Sequence, residues 1–194
     1  MPVRVNPLPK IVQEAISSNT YTPDVLKMTY MFHSVPVFVT GTEKERFFEH
    51  KDALGELTPV GYGTTQKPSF VMYSHRKTKF PVVMYNPANP AAARVHGELY
   101  MIPIYSLLKL DSFHQNTIFT SRGWRPVRIY DAKESGGNQA KRYYDIDSIM
   151  YTGHPRYIEL RDYDELRTIG QKDPFFMWTV KDDEKAKHTP IVPW

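Results

Sequence analysis

Residues 94–111 read Arg94-Val95-His96-Gly97-Glu98-Leu99-Tyr100-Met101-Ile102-Pro103-Ile104-Tyr105-Ser106-Leu107-Leu108-Lys109-Leu110-Asp111. Within this stretch the apolar spacing changes from that of a strand to that of a helix. From Arg94 to Ile102 the pattern predicts a strand, with Val95, Leu99 and Met101 sharing one face. Pro103 then suits the first turn of a helix, where its missing N–H costs nothing. Ile104, Leu107, Leu108 and Leu110 carry the helical spacing on to Asp111.

Upstream, Val35 to Thr40 (VPVFVT) is a short, β-branched apolar run and reads as a buried strand. Gly41-Thr42 breaks it, and Glu43 to Leu54 has the helix formers of a helix that would bury Phe47, Phe48 and Leu54. Gly61-Tyr62-Gly63 reads as a loop, and Asn86 to Pro90 (NPANP) as a turn-rich break. Further strands are expected at Ser69–Tyr73 and Phe80–Tyr85. Downstream, Trp124–Tyr130 and Arg142–Tyr151 read as two strands joined by the polar turn Glu134-Ser135-Gly136-Gly137-Asn138. Asp162–Ile169 reads as a short helix, Phe175–Val180 as a last strand, and Lys181–Lys187 as a charged tail. Before residue 35 the chain reads as an arm with two short helices, one at Ile11–Ile16 and one starting near Thr22. Many short strands with few helices indicate an α+β fold, with a small closed barrel as one arrangement.

A length of 194 residues suits one domain with ordered extensions, and 41% hydrophobic residues argue against global disorder. The chain has no cysteine, which removes disulfides, thiolate metal sites and cysteine nucleophiles. No apolar run approaches the roughly 20 residues that cross a bilayer, and Met1 to Lys10 lacks an apolar signal core; the expectation is a cytoplasmic protein. The net charge of +4 is modest and spread out. Lys67, Arg76, Lys77 and Lys79 form one cationic cluster, and Arg122, Arg125 and Arg128 another. Each reads either as a solvated strand edge or as a phosphate-binding patch. With 13 tyrosines, 10 phenylalanines and 3 tryptophans, aromatic stacking of single-stranded nucleic acid is a reading to weigh against core packing. No nucleic-acid motif accompanies it. The histidines show no metal-ligand spacing, and the nucleotide-loop and serine-nucleophile motifs are absent. No metal and no cofactor are expected.

Two segments carry a family resemblance. Val37-Phe38-Val39-Thr40-Gly41-Thr42 resembles the first-strand signature F-V-Y-G-[ST]-L of gamma-glutamylcyclotransferase-like (AIG2-like) proteins. His96-Gly97-Glu98-Leu99-Tyr100 followed by Leu107-Leu108-Lys109-Leu110-Asp111 resembles that family's G-E-[LV]-Y and L-x-x-L-D, in the same order and strand–helix context. The resemblance implies a small mixed β-barrel of six to seven strands flanked by helices, with a pocket at one end. The domains would then be an N-terminal helical arm (1–34), the gamma-glutamylcyclotransferase-like domain (35–180) and a charged C-terminal extension (181–194). It further implies that the glycine turn after the first strand offers backbone N–H groups to an anion. Catalytic members use that turn to hold a γ-glutamyl group while its amine attacks its own side-chain carbonyl, giving 5-oxoproline and a free amine.

The departures fall on that chemistry. Thr40 stands where tyrosine is usual, Glu43 where leucine is common, and His114-Gln115 where the pattern L-D-x-x-E-G has its proton-shuttling glutamate and glycine. His114 is therefore the candidate acid–base residue, or a polar residue left after the chemistry was lost. Glu98 is a second candidate carboxyl, or a surface strand residue paired to a neighbouring cation. Thr40, Gly41, Thr42, Glu43 and Tyr100 are the candidate ligand-binding residues. The expected ligand is small and anionic or of γ-glutamyl type, and little 5-oxoproline release is expected from common γ-glutamyl amines. The alternatives are an active cyclotransferase or amine-releasing lyase using His114 or Glu98, and a non-catalytic module that sequesters a small molecule or contacts protein or nucleic acid.

Overall fold

The computed structural model describes residues 34–117, 119–131, 143–156 and 160–187; the expected arm and the turn Glu134–Asn138 lie outside them. Among the described residues nine strands and three α-helices follow in order. They are β1 (Ser34–Val39), α1 (His50–Leu54), β2 (Gly61–Thr65), β3 (Phe70–His75), β4 (Pro81–Tyr85), β5 (Arg94–Pro103), α2 (Leu107–Phe113), β6 (Thr120–Asp131), β7 (Tyr143–Gly153), β8 (Tyr163–Glu165), β9 (Phe175–Phe176) and α3 (Val180–Lys187).

β1 pairs with β7, β7 with β6, β6 with β2, β2 with β5, and β5 returns to β1. Five strands therefore close into a ring, and the fold is mixed α+β as expected. All the ring pairs are antiparallel except β1–β7, which runs parallel through Val37 and Ile149. Short β9 adds in parallel at the start of β5, where β1 no longer pairs. A second sheet, β4-β3-β8, packs beside the ring.

After exposed Ser34, β1 is apolar to its end because both of its faces are covered. Val35, Val37 and Val39 meet Tyr100, Ile102, Leu107 and Leu110 in one core. Phe38 points the other way, into a second core with Leu99, Val127, Ile129 and Trp178. The strand-to-helix reading of residues 94–111 holds: β5 passes through one 3₁₀ turn (Ile104–Ser106) directly into α2.

Four local expectations fail, each for a tertiary reason. Gly61-Tyr62-Gly63 is strand, because β6 crosses so close that a Cβ at Gly63 would lie 1.9 Å from the Arg128 carbonyl oxygen. The helix expected over Glu43–Leu54 shrinks to His50–Leu54. Ahead of it, the Glu45 N–H donates to Glu98 Oε2 (2.6 Å), the Phe48 N–H donates to Asp183 Oδ2 (3.1 Å), and Arg46 takes φ 70°. Those long-range acceptors replace the helical ones. The helix expected at Asp162–Ile169 gives way to β8, which completes the free edge of β3 through Tyr73–Glu165 and His75–Tyr163. The last strand ends at Phe176, and the charged stretch that follows is a helix that buries Asp183 and Ala186. Among the described residues no helix is long and apolar enough to cross a membrane.

The cationic clusters are largely spent locally. Arg76 pairs with Asp164 (2.9 Å), Arg128 with Asp145 (2.9 Å), and Arg122, buried, with Asp111. The Arg125 guanidinium lies 4.4 Å over the Tyr85 ring.

Candidate functional site

Because β1 and β7 run parallel, their C-terminal ends lie side by side, and a cleft opens there. One hollow of about 70 Å³ is walled by residues 38–41 at and just past the end of β1, by Tyr151–Gly153 at the end of β7, and by β4. A larger one, about 310 Å³, extends past Thr42 and Glu49 toward Phe80, Phe113 and Tyr163. Glu43, Pro81, Val82, His114 and Thr120 line both. No lysine or arginine is among the described residues of either wall.

The turn after β1 is held rigidly. Beyond the two backbone bonds already given, the buried Lys44 ammonium donates to the Trp178 carbonyl (2.6 Å). His50 reaches the carbonyls of Glu43 (2.8 Å) and Leu57 (3.0 Å). A Cβ at Gly41 would lie 3.0 Å from Glu43 Oε2 and 3.2 Å from Pro81 Cγ, so a side chain there has to displace both by a few tenths of an ångström. The Glu43 carboxyl thus lies against the turn itself. Burial raises it to about 7, against the downward pull of the Glu43 and Gly41 backbone N–H groups and the Lys44 ammonium. The backbone groups expected to cradle a ligand's anion face Glu43's own carboxylate.

His114 caps the C-terminus of α2, its N–H donating to Leu110 O (2.9 Å) and its carbonyl accepting from Thr120 Oγ1 (2.8 Å). Its ring stacks on Tyr151 at 4.1 Å and 15°. The Tyr151 hydroxyl donates to Asp111 Oδ1 (2.7 Å), and Asp111 also holds Arg122. Burial lowers the imidazole to about 4, with Asp111 acting in the opposite direction. Its Nε2 lies 3.5 Å from Glu43 Oε1. A second carboxyl, Glu49, is raised to about 7 by burial, while the Thr42 hydroxyl that donates to it favours the charged form. An imidazole that resists protonation therefore faces a carboxyl that resists ionisation.

Of the residues singled out in the sequence, Thr40, Gly41, Thr42, Glu43 and His114 come together on the cleft. Glu98 and Tyr100 do not line it. Glu98 is buried, accepting from the Glu45 N–H and, at 2.6 Å, from the Tyr100 hydroxyl. Its partners are backbone and tyrosine, not the surface cation the sequence offered as one alternative. Glu49, Tyr151, Asp111 and Arg122 escaped the sequence reading as site residues. Asp111 had a signal there as the last residue of L-x-x-L-D, and Arg122 only as one of three arginines read as a strand edge or a phosphate-binding patch. Among the described residues no group of three or more His, Asp or Glu is placed to hold a metal.

No curated protein matches the chain. Among solved structures, an AIG2-like protein from Mus musculus is similar at 21% identity, covering 65% of this chain and 80% of that one, with a TM-score of 0.51. A Kluyveromyces lactis allophanate hydrolase is similar at 12% identity, covering 69% of this chain but 19% of that one, with a TM-score of 0.50. At these identities the likeness is one of fold. The sequence profile described as gamma-glutamyl cyclotransferase, AIG2-like, matches residues 37–165, well over half of the 194, and the chain belongs to that family.

Proposed function

We propose that this protein takes a small, amino-acid-like ligand bearing a γ-glutamyl group into the cleft at the ends of β1 and β7. The observation that carries the reading is the meeting of two motifs. The turn Gly41-Thr42-Glu43 and His114, which stands at the family's glutamate position, border one cleft with 3.5 Å between Nε2 and Oε1. The composition of the walls refines the ligand. Two carboxyls and no described lysine or arginine give a strongly anionic molecule no countercharge, whereas a zwitterionic amino-acid head brings its own cation. The aromatic end of the larger hollow suits the amine-side substituent of such a ligand.

A ligand that binds only the folded state raises the melting temperature by mass action, adding about 2.7 kcal/mol at a hundred times its Kd. L-γ-glutamyl-L-alanine and L-γ-glutamyl-n-butylamine are the probes. The wild type is expected to show a concentration-dependent rise with at least one of them. Gly41→Val forces the Glu43 carboxyl and Pro81 apart and is expected to lose that rise while still unfolding cooperatively. A wild type whose melting is indifferent to both probes at millimolar concentration rules the reading out.

A further inference from the structure

We propose that Glu43 is an acid–base residue of this cleft, its carboxyl and the His114 imidazole forming a proton-relay pair that does the work of a glutamate at position 114. The inference rests on the γ-glutamyl reading above. The expectation of little 5-oxoproline release considered position 114 alone; the fold brings a carboxyl to it from the opposite wall.

Glu98 shows what a structural buried carboxylate looks like in this protein: two donors at 2.6 Å and no place on the cleft. Glu43 also meets backbone N–H groups, of Gly41 and itself, but differs in its place on the cleft. One oxygen lies against the Gly41 turn, the other faces His114, and the side chain lines both hollows with 11% of its surface exposed. The charged groups around the pair are Lys44 beside Glu43, Glu49 across the larger hollow, Asp183 on α3, and Asp111 behind the imidazole. Burial outweighs them on both partners, so a carboxylic acid beside a neutral imidazole is the state of about half the molecules at pH 7 and of most of them near pH 6.

That state suits cyclisation. The substrate's α-amine, in its neutral form, attacks the γ-carbonyl carbon; an N–C bond forms as the amide C–N bond breaks. His114 takes one proton from the attacking nitrogen, and Glu43 gives one to the leaving nitrogen. The resulting carboxylate and imidazolium stabilise each other, and the proton returns from His114 to Glu43. The products are 5-oxoproline and a free amine, with the pair restored.

The test is release of 5-oxoproline from the same two probes, read beside their effect on melting. Wild type is expected to turn over whichever probe stabilises it, with kcat/KM per neutral substrate α-amine falling as pH rises through about 7, where Glu43 loses the proton it donates. Glu43→Gln is expected to lose about 10²-fold or more in kcat while keeping the ligand-induced rise in melting temperature. Glu43→Asp should recover part of the rate. Stabilisation of the wild type without any 5-oxoproline overturns the proposal and leaves the binding reading intact. Neither stabilisation nor release removes both. A Glu43→Gln variant with wild-type kcat, or a wild-type kcat/KM per neutral α-amine that stays flat from about pH 6 to 8.5, also overturns the proposal. The flat profile decides the matter even if the variants fail to fold.

Discussion

His114 owes its position to a chain of residues behind it, of which only Tyr151 also lines the cleft. Its ring lies on Tyr151, whose hydroxyl is fixed by Asp111, which in turn holds the buried Arg122. Arg122's side chain is 2% exposed, so Asp111→Ala takes the carboxylate from a charge that water barely reaches. The expected cost is about 3 kcal/mol, the low end for breaking a buried pair, since Asp111 keeps some solvent contact. Denaturant unfolding measures it; a loss below about 1 kcal/mol means the arginine's other contacts suffice. At this scale the sequence was half legible. His114 and Gly41 could be read because they sit in ordered motifs. Glu43's departure from leucine showed which residue had changed, but not that its carboxyl would fold back onto Gly41 and face an imidazole. Tyr151 carries no motif and gains meaning only because β1 and β7 lie in parallel.

Helix and strand boundaries failed wherever a distant acceptor or a free edge outbid local preference. Residues 43–49 have helix-forming side chains, yet the Glu45 and Phe48 N–H groups go to Glu98 and Asp183. The stretch 162–165 looks helical alone but fills the edge of β3. By contrast, β5 and α2 were legible because their apolar faces and Pro103 agree with the final packing. α3 reads as a solvated tail from its charges, and only its place in the fold reveals Asp183 as a clamp on the Phe48 N–H and, at 3.4 Å, the Trp178 indole. Asp183→Ala leaves those donors without this acceptor and is expected to cost about 1–3 kcal/mol. It should also blunt ligand-induced stabilisation, because the turn carrying Glu43 loses an anchor. Full stability in chemical denaturation together with wild-type ligand response would mean that α3 is not coupled to the site.

The molecule as a whole carries opposed titrations, those of Glu43, Glu49 and His114 on the cleft and that of His96 away from it. Glu43 and Glu49 have folded values near 7, above the ordinary 4.5, so their contribution is complete below 4.5 and lost as pH rises through about 7. His114 and His96, lowered by burial to about 4, contribute fully above 6.5 and lose that contribution as pH falls toward 4. Above pH 6.5 the histidines are silent and any decline in melting temperature toward pH 8 belongs to the carboxyls. Glu49→Gln, which keeps an acceptor for Thr42, is expected to shrink that decline; an equal slope in variant and wild type would place the titration elsewhere. The order of strands around the ring could not be read from the chain, since pairing of residue 37 with 149, or 64 with 96, leaves no local trace.

The two anchors of residues 45 and 48 have a further bearing on how the protein is made. During synthesis the turn after β1 emerges early, but Glu98 follows about a quarter of the chain later and Asp183 later still. Until both have left the ribosome, the Glu45 and Phe48 amides have water for partners and the loop that carries Glu43 has no reason to stop moving. The barrel's first strand is thus among the earliest described parts to be translated, and the site at its end among the last to set.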